Sequence, residues 1–160
     1  MSGDCFISFE EISGETQDKE FAGAIDVLSW EWGLNWSANR AVVKAGGRRG
    51  SADVRVFDFT HRLDNASAPL MNRCYLGTVL KKAQVTMRRA GGTKAQSYLK
   101  IVFTGVQVAS VVAQHDADNK IPLERVTLSF ETVKFEYTLQ SREGADKNNQ
   151  SFDWKLNDKD

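Results

Sequence analysis

Strand-like alternation with one change of phase is the feature that most limits how this chain can fold. In the stretch LERVTLSFETVKFEYTLQ the apolar residues are even-numbered from Val126 to Phe130, but they are odd-numbered from Val133 onward. Successive side chains of a strand point to opposite faces, so one regular strand buries only one of these two sets. We therefore expect a bulge near Glu131 or Thr132 that restores the phase and bends the strand sharply.

The same alternation runs through most of the chain, and only two prolines in 160 residues interrupt it. In the run IDVLSWEWGLNW it separates large apolar side chains from small or charged ones. The predicted apolar face holds Leu28, Trp30, Trp32 and Leu34. The predicted outer face holds Val27, Ser29, Glu31 and Gly33. The pattern indicates a mainly β domain, either a barrel or a tight sandwich of about eight to ten strands.

One helix is predicted in the stretch NASAPLMNRCYLG. Ser67 is a suitable N-cap, Pro69 fits the first turn, and Gly77 can end the helix. Four apolar residues recur at helical spacing, which favours a stripe that packs on the barrel. These residues are Leu70, Met71, Cys74 and Tyr75.

The residues that usually carry catalysis or metal binding are present without the spacing that such chemistry needs. His61 and His115 are far apart in sequence, and Cys5 and Cys74 lack metal-ligand spacing and are expected as free thiols. The glycine-rich stretch AGGRRGS does not have the phosphate-binding pattern. The sequence has no GxSxG nucleophile elbow, and its scattered carboxylates do not indicate a pair for acid–base catalysis. We therefore expect no enzyme, no metal and no cofactor.

Charge and hydropathy exclude two further classes of partner. Lys plus Arg and Asp plus Glu both number 21, and the sequence pI is about 6.7, which argues against a dedicated nucleic-acid surface. No apolar run is long enough to span a membrane, so membrane insertion is not expected. The start MSGDCFISFEE lacks the basic and apolar regions of a signal peptide, which indicates a cytosolic protein.

An ordered set of motifs along nearly the whole chain resembles one family. GETQDKEFAGAIDVLSWEWG, LMNRCYLG, VTMRRAGG, YLKIVFTGVQVASV and LERVTLSFETVKFEYTLQ are similar to the Hcp tube proteins of the bacterial type VI secretion system. The resemblance implies a closed β-barrel of two packed antiparallel sheets with one short flanking α-helix. It also implies a homo-hexameric ring that stacks into an inner tube, is capped by a spike protein, and is fired by a contractile sheath.

The same resemblance implies where this protein works and what it carries. Small effector proteins can ride in the lumen, and the tube moves from the bacterial cytoplasm to the outside or into target cells without a signal peptide. Residues 1–160 then form a single domain, with an extended loop at 37–52 and a C-terminal loop and strand at 141–160.

The resemblance also gives expected roles to particular residues. Trp30 and Trp32 are expected to anchor the core, while Ser29 and Glu31 face the lumen and contact cargo. The extended loop 37–52 is expected to reach the next ring, because its glycines let it adapt and its valines and basic residues supply contacts. The residues expected to make these contacts are Arg40, Val42, Val43, Lys44, Arg48 and Arg49.

Two other functions remain open at this point. The chain could be a monomeric barrel that binds a small apolar ligand, which predicts a thinly filled core. It could also be an enzyme whose site has no familiar pattern. Annular particles in an electron micrograph separate the tube subunit from both other functions.

For the loop 37–52 there is also a second interpretation, an ordinary solvated hairpin loop that contacts no other ring.

Overall fold

The computed structural model describes residues 4–37, 51–89, 96–118, 120–139 and 149–156. Strands occupy most of this part of the chain, which carries one α-helix. The elements are β1 (Asp4–Phe9), β2 (Ile25–Asp26), β3 (Ser29–Glu31), β4 (Leu34–Ser37), β5 (Ser51–Val54), β6 (Phe57–Arg62), α1 (Ser67–Leu76), β7 (Val79–Arg88), β8 (Ser97–Gln114), β9 (Leu123–Ser129), β10 (Thr132–Thr138) and β11 (Asn149–Lys155).

The main sheet is antiparallel throughout, with the order β2-β1-β7-β8-β9-β6-β3. β10 pairs with the first part of β8 and with β11, and β4 and β5 form a separate two-stranded ribbon. The expected fold class, mainly β with antiparallel sheets and one short helix, is confirmed.

The barrel closes through a run of chain and not through an unbroken ladder. β2 and β3, the two ends of the sheet order, are separated in the chain by only Val27 and Leu28. Between them the N–H of Val27 donates to the Cys5 carbonyl at 2.9 Å, and the N–H of Leu28 donates to the Thr60 carbonyl at 2.8 Å. The run thus crosses from β1 to β6 and brings both ends of the sheet together.

This crossing changes the predicted faces of the run. Ile25 and Val27 are buried and Leu28 is 45% exposed, but Ser29 is exposed as well and Trp30 is the next inward residue, so the buried side changes between Leu28 and Ser29. The alternation placed Leu28 on the apolar face with Trp30, and that assignment is wrong. The reason is that one strand pairing ends at Asp26 and another begins at Ser29, which sequence alternation alone does not reveal.

A corner replaces the bulge that the sequence predicts near Glu131. β9 and β10 are separate strands, but both pair with β8 in one register, with Ser129 opposite Gln107 and Thr132 opposite Thr104. At the same level β8 passes through Gly105, whose φ is 59°. β8 buries Phe103 before this glycine and Val106 after it. β8 and the β9–β10 segment opposite it therefore change their buried side at the same level, and the sheet bends there.

Aromatic and branched side chains fill the barrel interior. The ring of Phe57 lies 4.9 Å from that of Phe103 and 6.2 Å from that of Phe59, measured between centroids. All three rings are at most 1% exposed. Each fully buried side chain of this size contributes roughly 1.5–3 kcal/mol to folding. Because these side chains fill the interior, the residues that alternate with them along each strand point outward. Those outward residues form the surfaces that are free for partners.

The helix α1 begins and packs differently from the sequence expectation. Ser67 is its first residue and not its cap: the Ser67 hydroxyl accepts from the Asp64 N–H at 3.1 Å, while the Asp64 carboxylate accepts from the Ala66 N–H at 2.9 Å. Gly77 ends the helix in the left-handed conformation, with φ 65°, as predicted. In the part of the chain that is described, α1 is too short to traverse a lipid bilayer.

The predicted apolar stripe of α1 is narrower than its spacing suggests. Leu70 is fully buried and Cys74 packs against the core, but Met71 is 40% exposed and Tyr75 is 88% exposed. The last residue, Leu76, is 69% exposed. Helical spacing does not distinguish a side chain that faces the barrel from one beside it that faces away.

Candidate assembly surfaces

Strand β3 directs Trp30 inward and leaves its two flanking residues at the surface. Ser29 and Glu31 are exposed. The Trp30 indole stacks on the core ring of Phe57 with 5.8 Å between centroids, and its N–H donates to the sulfur of Met87 at 3.4 Å. Trp30 therefore ties β3 to the core and to β7.

Trp32 lies just beyond β3 and makes a different set of contacts. Its indole N–H donates to the Arg55 carbonyl at 2.9 Å. Its ring lies 5.9 Å from the ring of Phe135 on β10 and 6.3 Å from that of Phe152 on β11. Trp32 thus connects the segment after β3 to strands β10 and β11, and it packs against the core.

Glu31 has one cation close by, and the contact between them is weak. The Glu31 carboxylate is 3.7 Å from the Arg55 guanidinium, and the two side chains are 69% and 52% exposed. An ion pair this exposed contributes at most about 1 kcal/mol. The Glu31 carboxylate is therefore available to a charged partner.

The ribbon of β4 and β5 presents an apolar face to solvent. Leu34 pairs with Val54 and Trp36 pairs with Ala52, and directly paired residues share a face. Leu34 is 44% exposed and Trp36 is 65% exposed. Large exposed apolar side chains that share one face of a ribbon are typical of an interaction surface.

The six residues that the sequence analysis assigned to ring stacking continue from this ribbon. Arg40, Val42, Val43, Lys44, Arg48 and Arg49 lie outside the described residues, within 38–50. The structure shows where this segment starts and ends, because Ser37 pairs with Ser51 at the tip of the ribbon.

A groove of about 500 Å³ lies beside β2, and we call it the acidic groove. Its apolar lining combines buried Cys5, Phe6 and Val27 with exposed Leu28. The full lining is Asp4, Cys5, Phe6, Thr16, Gln17, Asp18, Asp26, Val27 and Leu28. The groove therefore combines an apolar floor with a rim of carboxylates.

Arg88 organises one side of this rim. Its guanidinium lies 2.8 Å from the Asp4 carboxylate and 3.1 Å from that of Glu20, and it also donates to Asp18. The hydrogen bond from Arg88 lowers the pKa of the Asp18 carboxyl below its usual value. Three carboxylates thus surround one cation, and Asp26 adds another at the rim, so the groove keeps an excess of negative charge.

The sequence analysis missed this groove, although the charge distribution carries a signal for it. Residues 4–26 contain seven acidic residues and one basic residue, Lys19. Residues 38–50 contain four basic residues and none that is acidic. The overall charge balance hides this separation, which appears only when the segments are counted one by one.

A buried hydrogen bond between His61 and Glu124 is a second feature that the sequence analysis did not place. Both side chains are completely buried, and the His61 Nε2 lies 2.9 Å from a Glu124 oxygen. The Asp64 carboxylate is 3.9 Å from His61 Nδ1. Burial raises the pKa of the Asp64 carboxyl. The pair joins β6 to β9 directly across the ladder.

Neither cysteines nor acidic clusters supply a metal site in the described part of the chain. Cys5 and Cys74 are free thiols, as expected. Burial raises the pKa of Cys5 to about 12, so this thiol stays protonated at neutral pH. Within the same residues, no group of three or more His, Cys, Asp and Glu side chains is placed to hold a metal ion.

The sequence matches the family model described as type VI secretion system effector, Hcp, over residues 6–137. It is 34% identical over 145 residues to protein hcp1 of Pseudomonas aeruginosa, covering 91% of this chain and 89% of that protein. These lengths include the barrel, α1 and the ribbon.

Solved structures give the same relationship. Hcp1 from Salmonella typhimurium is 32% identical with a TM-score of 0.75, over 98% of this chain and 96% of that chain. A type VI secretion system effector from Yersinia pestis is 28% identical with a TM-score of 0.76, over 96% and 100% of the two chains. Sequence and fold agree, and the chain belongs to the Hcp family of type VI secretion system proteins.

Proposed function

We propose that this chain is a structural subunit that forms hexameric rings, which stack into the inner tube of the type VI secretion system. The tube assembles in the bacterial cytoplasm, leaves by sheath contraction, and carries small effector proteins in its lumen. Sheath and spike proteins are its other partners, and residues 1–160 act as one domain. Family membership supports the secretion system, and the surfaces of the subunit support assembly.

The observation that carries the proposal is the exposure of large apolar side chains on separate surfaces. Trp36 projects from the ribbon, while Tyr75 and Leu76 project from the end of α1. A ring needs a heterologous interface, in which one surface meets a different surface of the next copy. Separate apolar surfaces on one subunit fulfil this requirement.

A free strand edge adds to this case. Among the described strands, β11 pairs with β10 alone, so one edge of β11 has no strand beside it. Its Phe152 side chain is 39% exposed. Such an edge can accept a strand or loop from a neighbouring copy through main-chain hydrogen bonds.

The filled interior speaks against the small-ligand barrel. Phe57, Phe103 and the branched side chains around them occupy the centre of the barrel. A lipocalin-like function requires an open interior, and large aromatic side chains leave little space for one.

For the lumen, we propose that Ser29 and Glu31 form part of its polar lining. Both are exposed on a strand whose other face is fixed by Trp30. In a hexamer, the Glu31 carboxylate repeats around the ring and sets a negative field for cargo.

The proposal is tested by measuring the mass and shape of the purified protein. Light scattering after size-exclusion chromatography should give six times the 17.9 kDa chain mass, and negative-stain images should show hollow six-fold particles. A chain that stays monomeric at high concentration in every buffer, without annular particles, contradicts the proposed function.

A further inference from the structure

We propose that His61, Glu124 and Asp64 form a proton-operated clamp, in which mildly acidic pH adds a proton to the His61 ring and draws the turn before α1 toward the barrel. We call these three side chains the clamp. They lie on β6, on β9 and in the turn between β6 and α1. The clamp belongs to the fold of a single subunit, so this inference goes beyond the proposed function and does not depend on ring formation.

The two nitrogens of the His61 ring have different surroundings. His61 and Glu124 are completely buried, and Nε2 lies within hydrogen-bond distance of a Glu124 oxygen, at 2.9 Å. Nδ1 lies 3.9 Å from the Asp64 carboxylate and has no hydrogen-bond partner among the described residues. A neutral imidazole carries one N–H. When Nε2–H donates to Glu124, Nδ1 therefore faces the Asp64 carboxylate with no proton between the two acceptors.

A proton that solvent adds to Nδ1 removes this mismatch. The imidazolium ring has two N–H groups, so Nε2–H donates to Glu124 while Nδ1–H donates to Asp64. A charge-assisted hydrogen bond of this kind has a length of about 2.7–2.9 Å, so the Asp64 carboxylate and the ring approach each other by about 1 Å. Protonation of His61 thus converts a separation into a contact.

The charges around the clamp favour the protonated ring. Burial is the largest cause of the raised pKa of the Asp64 carboxyl, and the nearby carboxylates of Glu15 and Asp26 add to it. These residues line a cavity of about 160 Å³ together with one cation, Arg62, and this cavity gives protons a route to Asp64. A positive charge on His61 compensates part of the negative charge here, which offsets the cost of placing a cation in the interior.

Asp64 connects the ring to the start of α1. Its carboxylate accepts from the Ala66 N–H at 2.9 Å, and its own N–H donates to the Ser67 hydroxyl at 3.1 Å. Ser67 is the first residue of α1, and Leu70 one turn later is fully buried. A shift of Asp64 toward the ring therefore carries the first turn of α1 toward β6 and β9.

The direction of the pH dependence follows from the partner of the added proton. Histidine is the side chain that ordinarily gains a proton between about pH 8 and pH 5. In the folded chain this N–H donates to Asp64, whereas in the unfolded chain it donates to water. The clamp therefore adds stability as pH falls through this range, and this stability is lost as pH rises. Protonation of Asp64 at more acidic pH weakens the clamp again.

The test follows both histidines of the chain by nuclear magnetic resonance of isotope-labelled imidazole rings, from about pH 8 to pH 5. His115 is exposed and serves as the internal reference. We expect His61 to gain a proton in this range. The backbone amide signals of Ala66 and Ser67 should shift with the same midpoint as His61, because Asp64 connects them to the ring.

Asp64→Asn is the variant that separates the clamp from an ordinary buried histidine. The asparagine carbonyl can still accept from the Ala66 N–H, but the negative charge is gone. The His61 titration should move to lower pH by about one unit, which is a tenfold weaker binding of the proton, while that of His115 stays unchanged. Glu15→Gln is the matched control, since it removes an equal charge that acts on Asp64 from the cavity, and it should move the His61 titration less.

Three results would overturn the inference. A His61 ring that stays neutral down to pH 5, while His115 titrates, excludes His61 as the site of the proton. A His61 titration that Asp64→Asn moves no more than Glu15→Gln does excludes Asp64 as the partner of Nδ1. If circular dichroism shows that Asp64→Asn is unfolded, the unchanged chain still decides: amides of Ala66 and Ser67 that do not follow the His61 midpoint exclude the clamp.

Discussion

At the scale of single residues, the barrel interior contains polar side chains whose burial depends on hydrogen-bond partners. His61 and Glu124 are completely buried opposite each other on β6 and β9. The His61 ring also lies 5.6 Å from that of Phe59, between centroids. Removing one partner of such a pair leaves the other group buried without compensation, which is far more costly than removing both.

We therefore expect Glu124→Ala to lower the free energy of unfolding by about 1–3 kcal/mol, because the buried His61 ring loses its hydrogen-bond partner. The double variant His61→Leu, Glu124→Leu should lose much less, because apolar side chains of suitable size replace both polar groups. Urea unfolding of the two variants and the unchanged chain measures the difference. A double variant less stable than Glu124→Ala would show that the pair is net stabilising, contrary to this expectation.

Arg88 and Asp18 give the stability a dependence on acid pH. The hydrogen bond from Arg88 lowers the pKa of Asp18 in the folded state. The unfolded chain therefore binds a proton more readily, and the stabilisation is present above the unfolded pKa of about 3.9. It is lost as pH falls below that value through the folded pKa. Unfolding measured from pH 6 to pH 2 should show a smaller loss of stability for Asp18→Asn, and an unchanged pH profile would contradict this role.

At the scale of elements, the sequence predicts strand phase well where successive strands keep the same partner, as β9 and β10 do with β8, and poorly where the partner changes. The shift between Phe130 and Val133 shows in the sequence, because buried residues there change parity. The change of buried side between Leu28 and Ser29 escaped prediction, since it depends on which strand lies alongside. Tyr75 was misplaced for a related reason: spacing shows that α1 has an apolar stripe, but not which neighbour covers each part of it.

The corner at Gly105 yields a prediction for this scale. A Cβ at residue 105 would lie 2.7 Å from the Glu131 side chain, and φ is 59°. Gly23 has φ 86° with open space around it, so it isolates the backbone effect. Gly23→Ala should cost about 1–2 kcal/mol, from the left-handed backbone alone. Gly105→Ala should cost more, because the Glu131 side chain must also move.

Chemical denaturation of the two glycine variants, with and without Glu131→Ala, separates these contributions. In the Glu131→Ala background the excess cost of Gly105→Ala should disappear, while the cost of Gly23→Ala stays the same. Equal costs at both glycines in the unchanged chain would show that Glu131 does not restrict the corner.

At the scale of the whole molecule, the fold class and the family could be predicted from the sequence, because ordered motifs extend over most of the chain. The acidic groove could not, since Asp4, Asp18 and Asp26 lie on different segments that only the fold brings together. Arg88 is likewise distant in sequence from every carboxylate that it binds. The proposed assembly depends on such surfaces, so its contacts have to be tested on the folded protein.

The lining of the proposed lumen gives the last prediction. Each Glu31→Arg substitution changes the charge by two, so a hexamer multiplies the effect to roughly twelve charges per ring. Glu31 makes only a weak surface pair with Arg55, so folding and ring formation should persist. Retention of cationic small proteins by the rings should fall and retention of anionic ones should rise, with Glu31→Gln intermediate. Co-purification with rings at several salt concentrations measures retention, and Asp53→Arg on the ribbon is the control for an equal change of charge outside the lumen. If Glu31→Arg rings retain every cargo as the unchanged rings do, Glu31 does not face the lumen.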